Sequence, residues 1–167
     1  MRVFTEIQRF NQWWMQLIQI GLVLFLLYSF YQWYIIKEPT GNVAPTDTTL
    51  QLVLIFSILP ILVLFYFLRL ESTIDEIGVH YQFSPFHKSK KTIGWKDMEQ
   101  CYVRKYSPLR EYGGWGVRGS FGKNKAYNVK GNQGIQIELK KGGKMLVGTQ
   151  RKTEAQQVID RYFKKEQ

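Results

Sequence analysis

Arg104, Lys105, Arg110 and Arg118 fall inside one short stretch, "RKYSPLREYGGWGVRG", together with Glu111, Tyr112, Trp115 and four glycines. Guanidinium groups bind carboxylates and phosphates through paired hydrogen bonds, and glycine amides add donors at close range. If the four bases converge, the chemistry is recognition of an anion: a lipid headgroup, a nucleotide or the acidic tail of a partner. Asn128 belongs to the same candidate binding set, and if the region were an enzyme's site Asn128 and Asn132 would orient polar groups beside Arg110 and Glu111. Two other readings stand beside this one. The stretch could be an ordered flap in which Glu111 pairs with an arginine and Trp115 plugs a gap, or a protein-binding surface centred on Trp115 and Tyr112. Tyr106, Tyr112, Trp115 and Phe121 offer apolar area that a disordered loop would lack.

Other chemistry is sparse. The two histidines, His80 and His87, stand seven residues apart with no cysteine nearby, a poor metal site. Ser84, His87 and Asp75 have the residue types of a triad, but three neighbours in sequence do not make its geometry. No phosphate-binding loop, HExxH or CxxC occurs. The residues therefore point to no catalytic group, no metal and no cofactor. "HKSKK" (87–91) reads as a solvated or membrane-contacting turn.

The elements that must position these residues alternate with a period of two. "VHYQF" places Val79, Tyr81 and Phe83 on one face; "CYVRKY" sets Cys101 and Val103 against Tyr102, Arg104 and Tyr106. "AYNVK" and "IQIEL" continue the pattern, the latter with Ile135, Ile137 and Leu139 inward. Shorter strands are expected at 72–75, 91–94 and 145–148, making about seven antiparallel strands. "KGNQG" (130–134) and "KKGGK" (140–144) read as hairpin turns. The stretch between Tyr106 and Lys125 is left as a long connection. Ala155, Val158, Ile159, Tyr162 and Phe163 form one stripe of a terminal helix, with Thr149 or Thr153 as its cap and Arg161, Lys164 and Lys165 at its negative end.

Upstream lie two uncharged runs, Leu17–Ile36 and Leu50–Leu68. At about 1.5 Å per residue each reaches roughly 28–30 Å, the thickness of a bilayer's hydrocarbon core. They predict transmembrane helices over about 14–36 and 49–69. A domain of the remaining size could not bury two helices that are apolar on every face. The first run is too long for a signal peptide, and "QWYIIKEPTG" lacks a small-residue cleavage pattern. Trp13, Trp14, Tyr31, Trp33 and Tyr34 suit interfacial belts, and Pro60 a kink. No ionisable group sits in mid-span, which argues against an ion pathway.

Lys37 is the single base of the connection between the runs, against Arg2, Arg9, Arg69, Lys88, Lys90 and Lys91 on the other side. This predicts a multi-pass protein of the cytoplasmic (inner) membrane with both termini in the cytoplasm. Residues 72–167 hold nineteen Lys/Arg and nine Asp/Glu, so they carry the entire net charge of +10. Such a basic surface favours anionic lipid headgroups. Nucleic acid is not expected as a partner, since no recognition helix is apparent. A single cysteine, Cys101, fits the reducing side.

Taken together, "TIDEIGVHYQFSPFHKSKKTIGWKDMEQCYVRKYSP" after two spans, then a final amphipathic helix, resembles the bacterial PH-like-domain membrane proteins. The similarity is greatest to a subfamily with "YSPLREYGGWG", "KAYNV.GN.G" and "GTQ", here at Tyr106–Gly116, Lys125–Gly134 and Gly148–Gln150. Ile93–Asp97 matches its I-x-W-x-D turn less specifically. The resemblance implies a pleckstrin-homology-like small barrel closed by the helix, with residues 1–70 holding the spans and 71–167 the cytoplasmic domain. It implies no reaction. The inositol-phosphate site of eukaryotic pleckstrin-homology domains does not carry over, because the matching turn, "DEIG" (75–78), is acidic. The expectation is a non-enzymatic, membrane-anchored module that binds a protein partner, itself or anionic headgroups. The alternative is an enzyme or ligand-binding protein acting on a lipid or nucleotide phosphate at 104–130.

Overall fold

The structure, a computed structural model, describes residues 3–119 and 124–163. Arg2, Phe121, Lys164 and Lys165, named above, lie outside them. The chain divides into two compact units: Asn11–Phe67, and the N-terminal segment through Phe10 combined with the chain from Leu68 onward.

The first unit holds two helices, α1 (Trp13–Tyr31), which runs on as a π-helical turn over Gln32–Ile36, and α2 (Thr48–Phe67). Both are long and apolar enough to cross a membrane, and almost none of their side chains is buried. Their connection is ordered by polar contacts. Trp33, buried, donates from Nε1 to Val43 O at 3.2 Å. Gln51, a buried amide in an apolar helix, donates to Ala44 O and Pro45 O and accepts from Tyr34 Oη. An unpaired amide there would be costly, so these bonds hold the connection against the helix ends.

The second unit is mainly β, with nine strands in two sheets among the described residues. Sheet one is a meander, β1 (Phe4–Arg9), β2 (Arg69–Ile74), β3 (Gly78–Ser84) and β4 (Lys91–Gly94). A 3-10 turn at Trp95–Asp97 leads into sheet two. Its strands are β5 (Met98–Lys105), β6 (Gly116–Arg118), β7 (Asn124–Asn128), β8 (Gln133–Leu139) and β9 (Lys144–Gly148), ordered β5-β8-β9-β7-β6. The short helix α3 (Pro108–Tyr112) precedes β6, and α4 (Lys152–Tyr162) ends the fold.

Four expectations are corrected. The strands do not close into a barrel: among the described residues no ladder joins the two sheets, and α4 covers β5 instead, Gln156 Oε1 accepting from Val103 N at 2.7 Å. The strands are not all antiparallel, because β7 pairs with β9 in parallel. That pairing puts β9 between β7 and β8, so "KGNQG" crosses over β9 rather than forming a hairpin; "KKGGK" does join paired strands. Finally, neither threonine caps α4. Its N-cap is Arg151, and Thr149 Oγ1 is engaged by Glu6 and Arg151 N.

The N-terminal segment is also more than a lead into α1. β1 runs antiparallel to β2, from Phe4↔Ile74 to Arg9↔Arg69. It buries Phe4, Glu6 and Gln8, and leaves Ile7 and Arg9 exposed. The buried Glu6 carboxylate accepts from Thr149 Oγ1 at 2.7 Å and Gln150 N at 2.9 Å; Gln8 Nε2 donates to Gly148 O at 2.7 Å. These bonds bind the edge of one sheet to the end of the other.

Between the sheets Leu70, Ile74, Val79 and Phe83 of sheet one and Ile135, Ile137 and Val147 of sheet two form the buried core; Leu146, in register with Gln136, is buried on the other face with Tyr106 and Ala126. Tyr81 of β3 and Tyr127 of β7 bring their rings to 4.8 Å. Ala155, Val158 and Ile159 seat the apolar stripe of α4.

Candidate functional site

The outer face of sheet two carries a polar row that reaches into the 104–119 stretch. β5 contributes Tyr102 and Arg104, β8 Gln136 and Glu138, and β9 Lys144; the register sets Tyr102 opposite Gln136, and Glu138 opposite Lys144. Gln136 is nearly fully buried beneath this row and donates to Met145 O at 3.3 Å, leaving its Oε1 for Arg104 Nε at 2.9 Å.

Arg104 then meets α3. Pro108 occupies the first turn of that helix, where a missing N–H costs nothing, and Gly113 ends it at φ 70, in the left-handed region. The single turn brings Glu111 back over β5. Arg104 Nη2 donates to Glu111 Oε2 at 2.6 Å, and Glu111 Oε1 accepts from Ser107 N at 2.7 Å. The Arg104 hydrogen bond outweighs burial and, with the Ser107 amide, holds the Glu111 carboxyl below its ordinary range. The same bond raises the Arg104 guanidinium.

Below α3 lies a second polar cluster. Tyr112 packs edge-on to Tyr106, ring centroids 6.0 Å apart. The Tyr106 hydroxyl accepts from Asn128 Nδ2 at 2.9 Å, and Asn128 Oδ1 accepts from Gly116 N at 2.8 Å. Asn128 is fully buried, and burial pushes the Tyr106 hydroxyl up to about 12. Asn132 contributes its backbone, accepting from Tyr106 N at 2.9 Å.

These groups border a solvent-open cavity of about 480 Å³, lined by Arg104, Glu111, Tyr112, Asn124, Gln136 and Lys144 among others. Of the residues singled out in the sequence, the fold thus gathers Arg104, Glu111 and Tyr112 at the cavity. Asn128 lies behind them as a positioning group. Trp115 turns away, donating to Gly131 O at 3.1 Å, and Arg118 Nε donates back to Trp115 O at 3.1 Å. Lys105 and Arg110 are exposed and do not line the cavity. Lys144, Gln136 and Asn124 join it unforeseen. Only the strand alternation at Gln136 hinted at this, since it placed that side chain on the face of Arg104.

The charge in the cavity is balanced. Arg104 pairs with Glu111, and Lys144 pairs with Glu138 at 2.9 Å. A site built to capture a phosphate would leave cations with spare donors and no acid at hand. Here instead Arg104 holds α3 to the sheet, and Lys144 ties β9 to β8.

The remaining reactive groups are dispersed. Asp75 Oδ2 pairs with His80 Nε2 at 3.0 Å, and His80 Nδ1 hydrogen-bonds with Thr92 Oγ1 at 2.8 Å. Burial raises the Asp75 carboxyl, but hydrogen bonds from His80, Ile77 N and Gly78 N outweigh it and leave it lowered. His87, the other member of the triad drawn above, points elsewhere: its Nδ1 accepts from Phe83 N and its ring lies 5.1 Å from that of Tyr127. Burial, with Lys91 nearby, lowers its basicity. Cys101 is buried, which pushes its thiol up to about 12 and keeps it protonated. Among the described residues no three His, Cys, Asp or Glu side chains converge as a metal site would require.

No protein-family model matches this chain, and no curated protein matches it.

Proposed function

We propose that the chain is a membrane-anchored, non-enzymatic binding module of the cytoplasmic membrane, in which a two-helix hairpin holds a PH-like β domain on the cytoplasmic side. The observation that carries this reading is the β1–β2 ladder. β1 precedes the first apolar helix and β2 follows the second, yet Arg9 and Arg69 are register partners. If both helices span, their outer ends must be on one side of the bilayer, which is the arrangement the lysine and arginine bias favours. A barrel-free, two-sheet domain is consistent with a PH-like relative in which 104–132 adds α3, β6 and β7 to the edge of sheet two.

Binding is favoured over catalysis by the state of the reactive groups. The cations at the cavity are paired, the thiol is protonated, and Ser84 has no histidine partner of suitable geometry. The domain's net positive charge suits an anionic partner, with lipid headgroups the most local source.

Substituted-cysteine labelling of the full chain in cells tests the topology. Asn42→Cys, between the helices, should react with an impermeant maleimide added from outside. Lys141→Cys, in the β8–β9 turn, should react only after permeabilisation. The reverse pattern, or equal labelling of both, would overturn the reading.

A further inference from the structure

At one end of sheet one, His87 is tied back to Phe83 while the rest of the β3–β4 connection stands exposed. Three residues separate β1 from α1 and one separates α2 from β2, so the end of the sheet marked by Arg9 and Arg69 is the end joined to both apolar helices. Ser84, the last residue of β3, is the partner of Arg69 on its other side. The β3–β4 connection therefore begins on the same row of the sheet. The opposite end carries the β2–β3 turn with Asp75 and Glu76.

This connection, Pro85 to Lys90, holds no acid, and Lys91 follows it directly. Lys88, Lys90 and Lys91 are exposed, and no ion pair among the described residues involves them. Glu71, two residues further along β2, is taken by Arg69 at 3.0 Å. Phe86 is 62% exposed, yet it is not loose: its ring lies 6.0 Å from Phe83, which meets Phe10 at 6.2 Å. An exposed aromatic held on a firm base and flanked by unpaired lysines suits a surface that is apolar just beneath an anionic layer. A protein partner would have to supply the same chemistry, whereas this end of the sheet is already tethered to the proposed spans.

We propose that residues 85–91 form a lipid-contacting finger, with Phe86 entering the interfacial region of the bilayer and Lys88, Lys90 and Lys91 binding the phosphates of anionic phospholipids. The proposal rests on the membrane reading above and adds to it a ligand class, a site and an orientation. The acidic β2–β3 turn lies at the opposite end of the sheet from the finger. His87 adds little charge near neutral pH, so the attraction comes from the lysines. Each lysine contributes up to about fivefold to the docked population, and the attraction is screened as the Debye length falls to about 3 Å at 1 M salt.

The full chain is labelled with an environment-sensitive fluorophore at Phe86→Cys, Glu76→Cys or Leu59→Cys, and reconstituted in vesicles of phosphatidylcholine with or without phosphatidylglycerol. Buried Cys101 stays unlabelled, which the unsubstituted chain verifies. With phosphatidylglycerol present, the probe at position 86 should shift to the blue and be quenched by lipids brominated near the headgroup. The probe at 76 should stay in water. High salt, or a Lys88→Gln/Lys90→Gln/Lys91→Gln triple variant, should reverse the shift. A water-like probe at 86 in the anionic vesicles, alongside a probe at 59 quenched by lipids brominated near the ends of their acyl chains, overturns the finger and leaves the spans standing. A probe at 59 that those chain-brominated lipids leave unquenched overturns the spans, and the finger with them.

Discussion

Arg104 and Glu111 show how one ion pair decides what a cluster of charges can do. They stand seven residues apart, and the turn of α3 is what returns the carboxylate to the guanidinium. Both side chains remain partly exposed, so the Coulombic part of the pair is screened. The Ser107 amide and Gln136 add bonds that an isolated surface pair lacks. Arg104→Ala should therefore cost about 1–2 kcal/mol of stability. Because the Glu111 carboxyl is lowered in the fold, its contribution is complete above its unfolded value, near 4.5, and is lost as pH falls through the folded one. Unfolding midpoints in detergent should show a drop below about pH 4.5 that is smaller in Glu111→Gln. An identical acid limb in both proteins would mean that the pair does not hold α3. The sequence allowed this pairing as one of three readings. It could not choose among them, because the choice depends on where a single helical turn points.

At the scale of elements, periodicity was informative wherever apolar residues faced the core and misleading where they did not. Val79, Tyr81 and Phe83 are buried as their spacing predicts, and so are Ile135 and Ile137. β1 was missed because its pattern is inverted: Glu6 and Gln8 face inward, satisfied by Thr149, Gln150 and Gly148, while Ile7 is exposed. β6 has three residues, too few to show a period. The β6–β7 ladder is reinforced by one buried amide. Asn128 Oδ1 accepts from Gly116 N and Nδ2 donates to the Tyr106 hydroxyl, so Asn128→Ala strands both groups together. The expected loss is about 2–3 kcal/mol, with Tyr106→Phe costing about 1. Hydrogen exchange should accelerate in β6 and β7 in the alanine variant before it does so in β8 and β9. Uniform acceleration through sheet two would show that the hairpin is not a separate unit of stability.

For the whole molecule, the decisive feature is that the β domain is discontinuous in sequence. A boundary drawn where the apolar runs end assigns the first strand to the wrong unit, since nothing in hydropathy reveals that residues 4–9 pair with residues 69–74. The consequence is an order of assembly. β1 is made first but has no partner until β2 has emerged beyond α2, and the Glu6 site is incomplete until Thr149 and Gln150 follow. A chain stopped at Phe67 keeps both helices but leaves β1 as an unpaired strand. Trypsin should cut it at Arg9 on the order of tenfold faster than in the full chain, where the ladder must open first. Under the proposed topology the protease must be added to inverted membrane vesicles, so the same digestion also reports the side on which β1 resides. Equal rates in the truncated and full chains would remove the β1–β2 ladder, and with it the argument that places both ends of the hairpin on one face.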